Sequence, residues 1–129
     1  MNAALSCQLD AEALARLSEL DPTGQNRLLK RLLVTFEKSL DRLVPQLEQA
    51  RDAADAPAMH LMAHTLKSSS ATVGAMVLSR QCALVEDLAR QNRLAEAAGG
   101  VQQMLLEAAA AREAVRCLAL QLDTPASAA

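Results

Sequence analysis

Tryptophan and tyrosine are missing from this chain of 129 residues, and phenylalanine occurs once. Without aromatics there is no platform on which nucleobases stack. Basic residues are not in excess either: 13 Lys and Arg face 15 Asp and Glu, a formal net charge of −2. The longest basic run is Lys30-Arg31, so the basic stripe of a nucleic-acid binder is lacking. Glycine and proline number four each, too few for a sandwich or barrel, which needs a turn every ~8–12 residues. An all-β fold is excluded and an α/β fold disfavoured. No apolar run approaches the ~20 residues that span a bilayer, and the first residues lack the basic and apolar regions of a signal peptide. The three cysteines, Cys7, Cys82 and Cys117, are odd in number and far apart. That fits a reducing compartment better than a disulfide framework. No Gly-rich phosphate loop is present, so nothing points to ATP binding. The expectation is a soluble cytoplasmic protein of one domain, residues 1–129, that by itself engages neither nucleic acid nor membrane.

What the chain does contain is alanine and leucine, 27 and 23 residues respectively. Both are strong helix formers. Residues 1–8 read as a loose lead-in. Asp10 can cap a short helix over Asp10–Leu20, with Leu14, Leu17 and Leu20 at helical spacing. Asp21-Pro22-Thr23-Gly24 signals a turn. A long helix over Gln25–Ala54 follows, its apolar stripe running from Leu28 through Phe36 to Ala54, with Pro45 predicting a kink or a missing hydrogen bond. Pro57–Val73 forms the next, stopped by Gly74 as a C′ residue. Ala75–Gln91 is expected to bury Val77, Leu78, Leu84, Val85 and Leu88. Arg93–Leu122 is expected to bury Leu94, Val101, Met104, Leu105, Ala108, Val115, Leu118 and Leu122, with Gly99-Gly100 as a weak point that could split it. Met62, Met76 and Met104 read as core filler. Residues 123–129 read as a frayed tail. Short connections favour antiparallel neighbours. The predicted fold is all-α: an antiparallel up-down four-helix bundle over residues 9–122 with a short additional N-terminal helix.

The informative segment is His60-Leu61-Met62-Ala63-His64-Thr65-Leu66-Lys67-Ser68-Ser69-Ser70-Ala71. At about 100° per residue, Met62, Leu66, Ser69 and Val73 fall on one side and form the expected buried stripe. His64 falls roughly 160° from Met62 on the same wheel, among His60, Lys67, Ser68 and Ala71. Two solvent-facing histidines are, in the plainest reading, surface residues. A His60/His64 metal pair lacks a third ligand and an intervening Glu. A Cys–His nucleophile pair lacks an oxyanion hole and an orienting group. No metal is therefore expected.

The run Ala63-His64-Thr65-Leu66-Lys67-Ser68-Ser69-Ser70-Ala71 followed by Gly74-Ala75 resembles the signature of histidine-containing phosphotransfer (HPt) domains of bacterial multistep phosphorelays. Phe36, 28 residues before His64, matches a Phe that the family tends to carry, and Val85-Glu86 stands in for a Leu-Glu late in the next helix. The likeness spans Leu9 to Leu122. One position departs from it, Ser68 standing where the family most often has Gly; a small hydroxyl there still leaves room for a phosphoryl group.

The resemblance implies a helical bundle in which His64 accepts a phosphoryl group from a receiver-domain aspartyl phosphate and passes one to another receiver. The attacking atom would be Nε2 of a neutral imidazole. Lys67 would disfavour the protonated ring and pair with the transferred group. Ser68, His60 and Ala71 would form the patch beside the phosphoacceptor. Gly74 and Phe36 would be structural, and Thr65, Leu66 and Ser69 would pack the helix. No cofactor is expected on this chain, with Mg²⁺ supplied by the receiver. The implied partners are receiver domains and a hybrid sensor histidine kinase, engaged by a monomer with no turnover of its own, through a small, mostly apolar patch beside His64. The alternatives are a docking module that has lost phosphotransfer, and a histidine-kinase core, for which the second helix pair and ATP domain are absent.

Overall fold

The computed structural model of the protein describes residues 9–25 and 27–123. The lead-in at residues 1–8 and the tail from residue 124 lie outside them. The described residues form five helices: α1 Ala11–Glu19, α2 Leu28–Asp52, α3 Ala56–Thr72, α4 Met76–Arg90 and α5 Leu94–Asp123. Each of α2 to α5 packs on its chain neighbour, and α2 closes the ring against α5, while α1 lies against α2 and α3. This is the expected up-down bundle with one short additional helix.

Local chemistry sets the ends. The Asp10 carboxylate accepts from the Ala13 N–H at 2.9 Å to start α1. Asp55 accepts from the Ala58 N–H at 3.1 Å to start α3. The three reversals between α2 and α5 repeat one motif, in which the two residues after the helix cap turn their N–H groups back onto the last carbonyls. After α3, Gly74 N–H donates to Ala71 at 3.1 Å and Ala75 N–H to Ser70 at 2.8 Å. After α2, Ala54 N–H donates to Arg51 at 3.2 Å and Asp55 N–H to Ala50 at 3.0 Å. After α4, Asn92 N–H donates to Ala89 and Arg93 N–H to Leu88, both at 3.0 Å. The left-handed residue is Gly74, Ala54 and Asn92 respectively.

The core joins Phe36, Leu33, Leu40 and Leu47 of α2 to Met59 and Leu66 of α3, Leu78, Cys82 and Val85 of α4, and Val101, Met104 and Val115 of α5. Helix α2 continues through Pro45, and α5 continues through Gly99 and Gly100. Gly100 is a contact rather than a weak point: a Cβ there would stand 2.8 Å from Val85 Cγ2. Its bare Cα lets α5 approach α4 closely. Five residues expected on the buried side point outward instead, namely Leu20, Ala54, Val77, Leu84 and Leu122, Ala54 because α2 ends at Asp52 and the chain reverses there. Leu20 caps α1 and Leu122 lies in the last turn of α5, where no facing helix covers them. Val77 and Leu84 are seven residues apart on the flank of α4, whose buried side is Leu78, Cys82, Val85 and Ala89. Met76 is half-buried, while Met62 and Met104 are core. Asp123, expected in the tail, is helical and pairs with Arg27 at 2.8 Å and with Lys30. Cys82 is a free buried thiol, and Cys117 is half-buried in α5. No helix among the described residues is long and apolar enough to cross a membrane.

Candidate functional site

Helix α3 buries Met59, Met62, Ala63, Leu66 and Ser70. That leaves His60, His64, Lys67 and Ala71 on the flank facing α4, and Ser68 in solvent. Ser70, rather than the expected Ser69, is the fully buried serine, and its hydroxyl is satisfied by the Leu66 carbonyl at 2.5 Å. Thr65 is exposed, with its hydroxyl donating to the Leu61 carbonyl at 3.0 Å; it does not pack the bundle. The buried face of α3 is turned toward Ala63 and Ser70 and away from Ser69, which leaves Thr65 outside it, and the hydroxyl finds its partner within its own helix.

Two features fix α3 at the level of the site. The Ser79 hydroxyl of α4 donates to the Lys67 carbonyl at 2.9 Å. At the C-terminal end, Gly74 has φ +84 and its carbonyl accepts from the Asp10 N–H at 2.9 Å. A Cβ on Gly74 would stand 2.8 Å from the Asp10 nitrogen. Gly74 is structural here for two reasons, the left-handed backbone and the close approach of α1.

The imidazole of His64 is 61% exposed, and its Nδ1 is hydrogen-bonded to Glu86 Oε2. The Glu86 side chain, by contrast, is only 12% exposed. Its other oxygen, Oε1, accepts from Lys67 Nζ at 2.6 Å. His60 Nε2 lies 4.0 Å from Glu86 Oε2. The two imidazole rings are parallel within 3°, their centroids 6.3 Å apart. One carboxylate of α4 thus faces three side chains of α3.

The hydrogen bond from Lys67, then that from His64, hold the Glu86 carboxyl below its ordinary range against the opposing effect of burial. Glu86 is therefore an ionised acceptor at neutral pH. An ionised carboxylate has no proton to give, so the hydrogen in its bond to His64 belongs to Nδ1. In the neutral ring this leaves the lone pair on Nε2. One turn below, burial first and then the Glu86 charge push the Cys82 thiol up to about 12. A thiol so held is inert as a nucleophile. Among the described residues, no group of three or more His, Cys, Asp or Glu is placed to hold a metal ion.

Of the residues singled out in the sequence, His60, His64, Lys67 and Ala71 share one flank, with Ser68 exposed beside it. Phe36 is buried in α2, away from this surface. The residue that sequence reasoning undervalued is Glu86. It stood in the Val85-Glu86 pair, noted only as a likeness. Its signal was an acid seven residues after Ser79, on the flank of the apolar stripe of α4, with Asp87 beside it one position further round the helix.

The chain matches the family model described as Hpt domain over residues 31–114. Its fold is similar to the crystal structure of histidine-containing phosphotransfer protein B (HptB) from Pseudomonas aeruginosa PAO1. The two are 30% identical with a TM-score of 0.77, over 88% of this chain and 95% of that one. No curated protein matches the chain. An exposed imidazole held by a carboxylate on a neighbouring helix of an up-down bundle, together with the family match across most of its length, makes this chain a member of the Hpt domain family.

Proposed function

We propose that this protein is a phosphoryl carrier whose His64 takes a phosphoryl group from the aspartyl phosphate of one receiver domain and delivers it to another. The observation that carries the reading is the exposed His64 ring with Nδ1–H donated to an ionised Glu86. That bond leaves Nε2 as the nucleophilic nitrogen. In the forward step the Nε2–P bond forms, the P–O bond to the aspartyl carboxyl breaks, and the carboxylate leaves with the electron pair. Nδ1 keeps its proton throughout, so the ring gains positive charge as Nε2 attacks. Glu86 offsets that charge across the existing hydrogen bond.

Lys67 plays two parts. Its ammonium holds Glu86 Oε1, and it stands one helical turn from His64, in reach of the incoming phosphoryl oxygens. Ser68 and Ala71 border the ring with small side chains. Leu61, 64% exposed and three residues before His64, supplies the apolar contact of a small docking patch. A transient interface of modest area suits a partner that must leave after transfer. Mg²⁺ and the in-line geometry come from the receiver, so this chain acts as substrate and carrier with no turnover of its own. It works as a cytoplasmic monomer between receivers, one of them the receiver of a hybrid sensor kinase.

The test is transfer from a panel of labelled phospho-receivers. Acid-labile, alkali-stable label should appear on the wild-type chain and be absent from His64→Gln. A wild-type chain that docks receivers but never takes up label is a docking module instead.

A further inference from the structure

Phosphoryl transfer through His64 uses one of the two imidazoles that face Glu86. The other, His60, is 40% exposed and turns Nε2 toward the same oxygen, Oε2, at 4.0 Å. That separation is too long for a hydrogen bond and short enough for strong charge coupling. We infer that His60 is a proton-linked partner of the phosphoacceptor, binding a proton when His64 becomes phosphorylated. The inference rests on His64 being the phosphorylated residue.

In the free protein the carboxylate of Glu86 is shared by the Lys67 ammonium and the neutral His64 ring, and a proton on His60 would set a second cation against one acceptor. A phosphoryl group on His64 Nε2 carries two negative charges, offset in part by the ring that retains Nδ1–H. Net negative charge then grows beside a parallel imidazole whose centroid is 6.3 Å away. An imidazole titrates near neutrality, so a modest change in local field moves it across the working range. The charged groups facing His60 are Glu86 from α4 and, through that carboxylate, Lys67 and His64 on α3 itself. Arg90, one turn beyond Glu86 on α4, is engaged by Asp87. His60 is therefore the side chain of this group with an open proton site facing the new charge once His64 is modified.

Linkage makes the effect reciprocal. If phosphorylation favours a proton on His60, acid favours the phosphorylated carrier over the phosphorylated receiver. The carrier would hold its cargo more firmly near pH 6 than near pH 8.

Phosphoramidate tests this on the full chain without a cognate receiver. Its P–N bond breaks as Nε2–P forms, and ammonia leaves with the electron pair. The His60 ring is followed by NMR titration before and after labelling. The expected result is an upward shift of the His60 midpoint of about half a unit or more on phosphorylation. With a receiver as donor, the transfer equilibrium should move toward the carrier as pH falls from 8 to 6. His60→Gln should reduce that movement, read for each protein as the ratio of its own transfer equilibrium at pH 6 to that at pH 8. A merely structural His60 would change neither the titration nor the pH profile. Labelling of His64 with an unmoved His60 midpoint overturns the inference and leaves the carrier reading intact. A chain that takes no phosphoryl group from phosphoramidate or any receiver overturns both.

Discussion

Two surfaces of this bundle carry ion pairs between helices, and they are built differently. Along the seam between α2 and α5, Arg116 pairs with Glu37 and Arg112 with Asp41. Arg51 donates to Gln102 at 2.6 Å. The two ion pairs join one group with one group at the rim, with solvent reaching at least one partner of each, and where Asp123 takes both Arg27 and Lys30 on the same seam the carboxylate itself is 44% exposed. Across α3 and α4 the arrangement is inverted. There, one mostly buried carboxylate serves Lys67 and His64, with His60 behind them, and the group left open to solvent is the imidazole. A paired surface charge has nothing left to offer a third party. A ring that is oriented from beneath and open from above does. The same contrast appears at the helix ends. The turn after α3 uses Gly74, pressed against Asp10, while the turn after α2 puts an exposed alanine, Ala54, in the same left-handed conformation.

If the contrast is sound, substitutions on the two surfaces separate cleanly. His64→Gln should abolish phosphoryl acceptance outright while the helical circular dichroism spectrum stays unchanged. Gly74→Ala places a Cβ 2.8 Å from the Asp10 nitrogen at φ +84. It should cost roughly 2 kcal/mol or more of stability in urea unfolding. Glu86→Ala removes the acceptor that orients His64 and should slow acceptance about 10- to 100-fold, as loss of an orienting partner does elsewhere. Ala54→Gly relieves a left-handed alanine in open surroundings and should stabilise by about 0.5–1 kcal/mol. Arg116→Ala on the α2–α5 seam should leave both acceptance and the unfolding midpoint unchanged within error, since exposed pairs contribute little.

Acid sharpens the comparison further. The Glu86 carboxyl is held below its ordinary 4.5, by Lys67 first and His64 second. A depressed carboxyl contributes its full stabilisation above its unfolded value and loses it as pH falls through the folded one. The α3–α4 clasp should therefore persist at pH 4.5 and fail only in stronger acid. Glu86→Gln should flatten that part of the stability profile. Asp123, lowered by Lys30 and then Arg27, adds a similar slope at the base of the bundle.

Much of this was legible in the residue order. The helices begin at or within three residues of their expected starts because Asp10, Asp55 and Gly74 act through backbone hydrogen bonds over three to five residues. His64 was legible because helical spacing alone placed it away from the stripe of Met62 and Leu66. What periodicity misjudged were residues at its edges. Val77 and Leu84 are as apolar as Leu78 and Val85, and nothing in the sequence says where the neighbouring helix stops covering them. Gly99-Gly100 looked like a break because glycine weakens an isolated helix. The fold uses Gly100 as a contact with Val85 that only exists once α5 lies on α4.

The sequence by itself determined the helices, their reversals and the outward placement of His64, because each depends on interactions within a few residues along the chain. Only the tertiary structure decided that Glu86, 22 residues away, would reach that ring and fix which nitrogen carries the proton. A hydrogen bond between two helices depends on how they are packed, and no spacing along one strand of residues encodes that directly.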